Sequence, residues 1–293
     1  MSATFGESTT FSETSIDRVR DYWNSRPCNL RHSPASVGSR EYFDQVEARK
    51  YLVETHIPGF ADYPRWAGRR VLEIGCGLGT ETMNFARAGA RVTAVDLSSR
   101  SLELARQRAE VFGLQDRITF IEADAERLAE FVEPSRYDLV YSFGVIHHTP
   151  HPGRALEQIR RHFVGPDTTF KMMVYYRWAW KVLAILVREA HGAFWKLDEA
   201  VARNSEAQTG CPVTYTYTRR SVRELLEHSG FTVEDVFVDH IFPYRVPDYV
   251  KYRYVKAFPF NVLPDPAMRA LEQRLGWHLC VTSRLAEGTA RDR

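Results

Sequence analysis

The chain has 293 residues, 44% of them hydrophobic and 26% charged; this balance excludes disorder, collagen-like repeats and a coiled coil and leaves material for a sizeable core. Thirty-nine Lys and Arg against 37 Asp and Glu leave a formal charge of +2, too little to hold nucleic acid by bulk charge. Cys28, Cys76, Cys211 and Cys280 form no C-x-x-C pair, the longest strongly apolar run (182–187) is too short for a bilayer, and the amino terminus has no signal pattern, so a cytoplasmic protein with no membrane or nucleic-acid partner is expected.

In chain order, residues 1 to 14 are Ser- and Thr-rich without a hydrophobic period and read as a frayed tail. Ile16, Val19, Tyr22 and Trp23 then mark a short amphipathic helix. A second helical period runs from Tyr42 to Thr55, and Pro58 and Gly59 end it. From residue 70 the pattern alternates: VLEIG, a helix over 81–88, RVTAVDL, a helix over 101–112, ITFIEAD, a short helix over 125–131, YDLVYSFG, a helix over 154–163, and TTFKMMVYY. Five strand-type runs separated by helices require right-handed crossovers, hence a mostly parallel sheet with helices on both faces.

Beyond Tyr176 the alternation breaks into a Trp- and Leu-rich stretch, read as an inserted cap, before a helix over 219–228. The run FTVEDVFVDHIF, an aromatic and basic segment (PYRVPDYVKYRYVKAFPF), a helix over 266–275 and the run WHLCVTS complete the chain. The two late runs predict an antiparallel edge. The expected fold is α/β and doubly wound: a mostly parallel, Rossmann-like seven-stranded sheet with an antiparallel edge and an inserted helical and aromatic cap. Its expected divisions are tail and lid helices over 1–69, a core over 70–176, the cap over 177–218, and completion of the sheet over 219–293.

The stretch from Val71 to Thr80 is a strand running into Gly75, Gly77 and Gly79 and then a helix. Glycines at alternate positions let the backbone turn sharply and approach a ligand that side chains would block. A dinucleotide fingerprint would place its third glycine where Thr80 stands. Asp96 ends the second strand, where a carboxylate can accept both hydroxyls of a ribose; Asp124, followed by Ala125, ends the third and could reach an adenine amine. N-caps are the competing role for both acids.

Together, E-x-G-x-G-x-G, Asp96, E-A-D-A over 122–125 and YDLVYSFGVIHHTPHP over 137–152 resemble the class I S-adenosylmethionine-dependent methyltransferases, over about a third of the chain. The resemblance implies S-adenosylmethionine as cofactor and S-adenosylhomocysteine as product. It places Gly75, Cys76, Gly77 and Gly79 along the methionine moiety, with Glu73 ordering that loop. Asp96 and Leu97 fall at the ribose, Asp124 and Ala125 at the adenine, and Ser142 and Gly144 in the wall beneath the sulfonium. Tyr22 and Arg26 are lid candidates at the methionine end.

His147 and His148 lie at the carboxyl end of the fourth strand, the mouth of an open parallel sheet, and are the candidate general bases. With His151 they lack metal-ligand spacing, and no metal is expected. Tyr175, Tyr176, Arg177, Tyr244, Arg245 and Tyr249 are the candidate substrate residues, with packing and a solvated face as competing roles. The expected activity is methylation of an oxygen, nitrogen or carbon of a small molecule, for which an anionic group would explain the basic residues. A nicotinamide-dependent oxidoreductase, a macromolecular methyltransferase and a non-catalytic cofactor-binding module are the alternatives; acceptor atom and oligomeric state stay open.

Overall fold

The computed structural model describes residues 11–189, 194–208 and 210–287, so the first ten residues of the expected tail lie outside the described residues. Its last four are not frayed: Phe11 is buried edge-on against Tyr215, ring centroids 5.2 Å apart. Helices α1 (Ile16–Ser25) and α2 (Arg40–Val53) follow, capped by the hydroxyls of Ser15 and Ser39. Pro58 and Gly59 do more than end a helix. Proline has no N–H to lose in a first turn, and both residues belong to the short α3 (Ile57–Ala61).

The alternation then runs β1 (Arg70–Ile74), α4 (Thr80–Arg87), β2 (Arg91–Asp96), α5 (Ser99–Phe112), β3 (Ile118–Glu122), β4 (Leu139–Phe143), α6 (Pro152–His162) and β5 (Thr169–Tyr176). Beyond β5 come α7 (Trp180–Arg188) and α8 (Leu197–Gln208), and the chain closes with β6 (Thr216–Tyr217), α9 (Arg219–His228), β7 (Phe231–Asp239), α10 (Val246–Tyr249), α11 (Asp265–Leu275) and β8 (His278–Leu285). The sheet order is β3-β2-β1-β4-β5-β8-β7, with β8 antiparallel to both neighbours.

The sheet has eight strands where seven are expected, the addition being the two-residue β6. Its origin is a vacant edge. β4 ends opposite Met173, so Tyr175 and Tyr176 project beyond it and pair with Thr216 and Tyr217. Such a short strand carries too little alternation to be read from sequence.

Pleating sends alternate residues to opposite faces. Leu72, Val140, Phe170 and Val174 pack with α6 and α9, while Val71, Ala94, Tyr141 and Met173 pack with α4, α5 and α7. α2 lies on α5 through Tyr42, Phe43, Val46 and Leu104. There the fully buried Arg108 donates to Glu47 and Thr80, both at 2.7 Å. Successive crossovers reverse direction between β1 and β4, which opens a crevice at the carboxyl ends of the strands. No described helix is long and apolar enough to cross a membrane.

Candidate active site

The three loop glycines all have positive φ, 80° at Gly75, 53° at Gly77 and 71° at Gly79, but they serve different ends. A Cβ on Gly75 would lie 2.0 Å from Val145 Cγ2, so this glycine lets the loop lie against the segment after β4. Gly77 faces open space, with nothing within 4 Å of an added Cβ. Gly79 N-caps α4 and backs onto Ala105 of α5, 3.2 Å from an added Cβ. The N–H groups of Gly75 and Cys76 both donate to the Val95 carbonyl, at 2.7 and 3.0 Å.

Asp96 holds this loop from the next strand. Its Oδ2 accepts from Gly77 N and its Oδ1 from Ser98 N, both at 2.8 Å. Burial pushes the carboxyl up to about 6, against the lowering effect of these N–H donors. Beneath the loop, Glu73 accepts from Thr82 Oγ1 at 2.5 Å. Burial, reinforced by the nearby Glu81 carboxylate, pushes it up to about 8. Asp124 does cap the turn that follows it, accepting from Glu126 N at 2.9 Å, and it also faces the crevice.

The crevice is one continuous cavity of about 1420 Å³. Of the residues expected from sequence, Tyr22, Arg26, Glu73, Gly75, Cys76, Gly77, Asp96, Leu97, Asp124, Ala125, Gly144, His148, Tyr175 and Tyr249 line it. Gly79, Ser142, His147, Tyr176, Arg177, Tyr244 and Arg245 are not among its lining residues. The last group has structural work. Arg177 ion-pairs with Asp198 of α8 at 2.7 Å, Arg245 pairs with Asp248 at 3.2 Å, and Tyr244 stacks on Tyr249. Ser142 is buried in β4.

The adjacent histidines part company. His147 is fully buried, its ring 3.9 Å from that of Tyr175, and burial followed by the neighbouring His148 holds it well below its ordinary value. His148 reaches the cavity. Its Nδ1 lies 2.7 Å from the Val213 carbonyl oxygen, to which Nδ1–H donates, and this tautomer carries its lone pair on Nε2. Trp23 of α1 packs edge-on to the His148 ring at 5.4 Å, while Asn24 Oδ1 accepts from Ser98 Oγ at 2.9 Å. The amino-terminal helix is thereby fastened across the crevice.

Residues that spacing does not reveal complete the wall. Arg49 of α2 is 4% exposed. It lies over the rings of Tyr249 and Tyr252 at 3.8 and 4.5 Å, and its Nη2 donates to the Tyr249 carbonyl at 2.5 Å. Its Nε and Nη1 have no hydrogen-bond partner among the described residues. Lys50 donates to Glu81 at 2.7 Å; burial opposes its charge, but Glu81 and Glu54 outweigh that and hold the ammonium above its ordinary value. Glu54, His240 and His278 meet on the far side of the cavity from Asp96. Burial pushes His240 down to about 3 and His278 well below its ordinary value. Their sequence separation, 222 positions between His278 and its neighbour His56, leaves no local signal.

Residues 71–164 match a family model described as a methyltransferase domain. Over 94 residues the chain is 38% identical to the ubiquinone biosynthesis O-methyltransferase of Paracidovorax citrulli (strain AAC00-1), a match covering 32% of this chain and 39% of that protein. The chain thus spans about two fifths of the length of this curated relative. Magnesium protoporphyrin IX methyltransferase from Synechocystis PCC 6803 superposes with a TM-score of 0.57 over 93% of this chain and 100% of its own, at 16% identity. The putative methyltransferase complexed with the Haloferax volcanii Trm112 activator gives 0.58 over 92% and 98%, also at 16% identity. At these identities the superpositions show a shared fold. With the matched domain, the glycine loop and the sheet order in agreement, residues 71–164 form a methyltransferase domain similar to those of S-adenosylmethionine-dependent methyltransferases.

Proposed function

We propose that this chain transfers the methyl group of S-adenosylmethionine to a small-molecule acceptor that carries an anionic group. The observation that carries the reading is the single cavity of about 1420 Å³ joining the glycine loop to an aromatic wall. A pocket for one drug-sized ligand occupies roughly 300 to 1,000 Å³, so this one has room for two. The loop side fits the cofactor: Gly77 leaves space that a side chain would fill, Gly75 permits the approach of the loop to Val145, and Asp96 and Asp124 present carboxylates to the cavity from successive strand ends. S-adenosylmethionine supplies an electrophilic methyl group on a good leaving group. The protein's share is to position the acceptor, exclude water and accept a proton.

Enclosure by α1, the start of α7 and the segment 240–252 suits a small molecule better than a polymer. The two partnerless nitrogens of Arg49, Nε and Nη1, favour an acceptor carboxylate, since a buried guanidinium gains most from charge-assisted bonds. His148, with its Nε2 lone pair, is the proton acceptor in this reading. The test is incubation with methyl-labelled cofactor and, separately, phenolic carboxylic acids, tRNA and protein extract. Label in the acids is expected, and label confined to the polymers overturns the assignment. Arg49→Met should lower kcat/KM for the acid by about 10- to 100-fold, the loss of a charged hydrogen bond, and change it little for the methyl ester of the same acid.

A further inference from the structure

We infer that Glu54, His240 and His278 form a binding site for a divalent transition-metal ion, on the cavity wall opposite the cofactor residues. Each offers one ligand atom, and these atoms all lie within 4.8 Å of one another. The His278 Nε2 to Glu54 Oε1 distance is 3.8 Å. Zinc bonds of about 2.1 Å in a tetrahedral site place neighbouring ligands roughly 3.4 Å apart, so modest side-chain rotation closes the set. All three residues line the cavity, which leaves the remaining coordination positions open to a ligand.

A second observation points to the same place. His240 is 8% exposed, and its Nδ1 has no hydrogen-bond partner among the described residues. A buried, unpartnered ring nitrogen is costly unless something binds it. His278 is oriented from behind, with its Nδ1 3.1 Å from His56 Nε2, and His56 Nδ1 in turn lies 4.0 Å from Asp239 Oδ1. A ligand imidazole whose other ring nitrogen is hydrogen-bonded is held in one tautomer and orientation. Two imidazoles and one carboxylate select a first-row transition ion over magnesium or calcium, which prefer all-oxygen sets. Lys50 stands nearby, but Glu81 holds its ammonium at 2.7 Å.

The role of the ion rests on the methyl-transfer reading: as a Lewis acid it fixes an acceptor hydroxyl and lowers its pKa. Its binding does not, and the two are measured separately. The full chain, stripped with a chelator and dialysed, is titrated with Co²⁺, followed by its visible absorption, and then with Zn²⁺. One equivalent of Co²⁺ should give the intense band of a low-coordinate ion, and Zn²⁺ should displace it. His240→Ala, His278→Ala and the gentler Glu54→Gln should each weaken binding by more than the roughly 10- to 100-fold typical of losing an outer partner; His56→Ala should fall within that range. His162→Ala on α6 should bind as the wild type does. Thermal melts and S-adenosylhomocysteine titrations check that each variant is folded, and Glu54→Gln keeps the test decisive if a histidine variant is not. A spectrum that stays that of hydrated Co²⁺, or three folded ligand variants that bind like the wild type, overturns the site. Loss of S-adenosylhomocysteine binding with Co²⁺ binding intact would instead count against the methyl-transfer reading.

Discussion

Asp96 and Glu73 show how one kind of side chain does two jobs on the neighbouring strands β2 and β1. Asp96 accepts two backbone N–H groups and faces the cavity, and burial raises it to about 6. A ribose hydroxyl needs the carboxylate form as acceptor. S-adenosylhomocysteine affinity should therefore fall as pH drops through about 6, and Asp96→Ala should cost about 1 to 3 kcal/mol of binding at neutral pH. Calorimetric titrations across that range check both, and a pH-independent affinity would remove Asp96 from the ribose. Glu73 is raised from 4.5 to about 8, so between those values it is protonated when folded and ionised when unfolded. The folded state then binds the extra proton, and stability falls as pH rises from 4.5 through about 8. Glu73→Gln should melt above the wild type by a margin that grows across this window and vanishes below it. Melting curves at a series of pH values read the margin, and a constant one would show that Glu73 does not titrate there.

At the scale of elements, α1 and α2 wall the crevice at the carboxyl ends of the strands. α1 and the residue that ends it contribute Tyr22 and Arg26 to the cavity, and the helix rests on His148 through Trp23. Ser98 links it to the core, capping α5 by accepting from Ser101 N at 3.1 Å while donating to Asn24. Ser98→Ala should cost about 1 kcal/mol of stability as a lost cap and also loosen α1. Trp23→Ala should lower the melting temperature modestly, since its half-buried ring packs against the edge of the core, yet reduce turnover out of proportion to that loss, because the same ring covers the proposed proton acceptor. A steady-state assay beside a thermal melt distinguishes the two, and equal losses in both would make α1 a structural helix only. α2 was legible as a helix from its period, but its Arg49, Lys50 and Glu54 were not legible as cavity residues. Which face of that helix meets the crevice depends on how α2 packs on α5, through Tyr42, Phe43 and Val46.

At the scale of the molecule, the cavity exists only when the sheet edge, α1, α2, the start of α7 and the segment 240–252 are assembled together. The unfolded chain has no such site, so ligand binding must stabilise the fold as a whole. S-adenosylhomocysteine at a hundred times its Kd should add about 2.7 kcal/mol, an upward shift of several degrees in a thermal scan. NADH at the same concentration should add nothing. The reverse ranking would restore the oxidoreductase alternative that Thr80, standing where a dinucleotide loop needs glycine, argues against.

The sequence by itself determined the glycine-loop half of the cavity. Its signals are local: a strand, three alternate glycines and acids at the next two strand ends lie on consecutive βα units, whose geometry follows from chain order and the handedness of the crossover. Only the tertiary structure decided the other half. It separated His147 from His148, placed Arg177 and Arg245 in ion pairs off the cavity wall, and gathered Glu54, His240 and His278 from just beyond α2, just beyond β7 and the start of β8. These neighbours are made by packing between segments far apart in the chain. No spacing or periodicity within one segment encodes which side chains of another will face it.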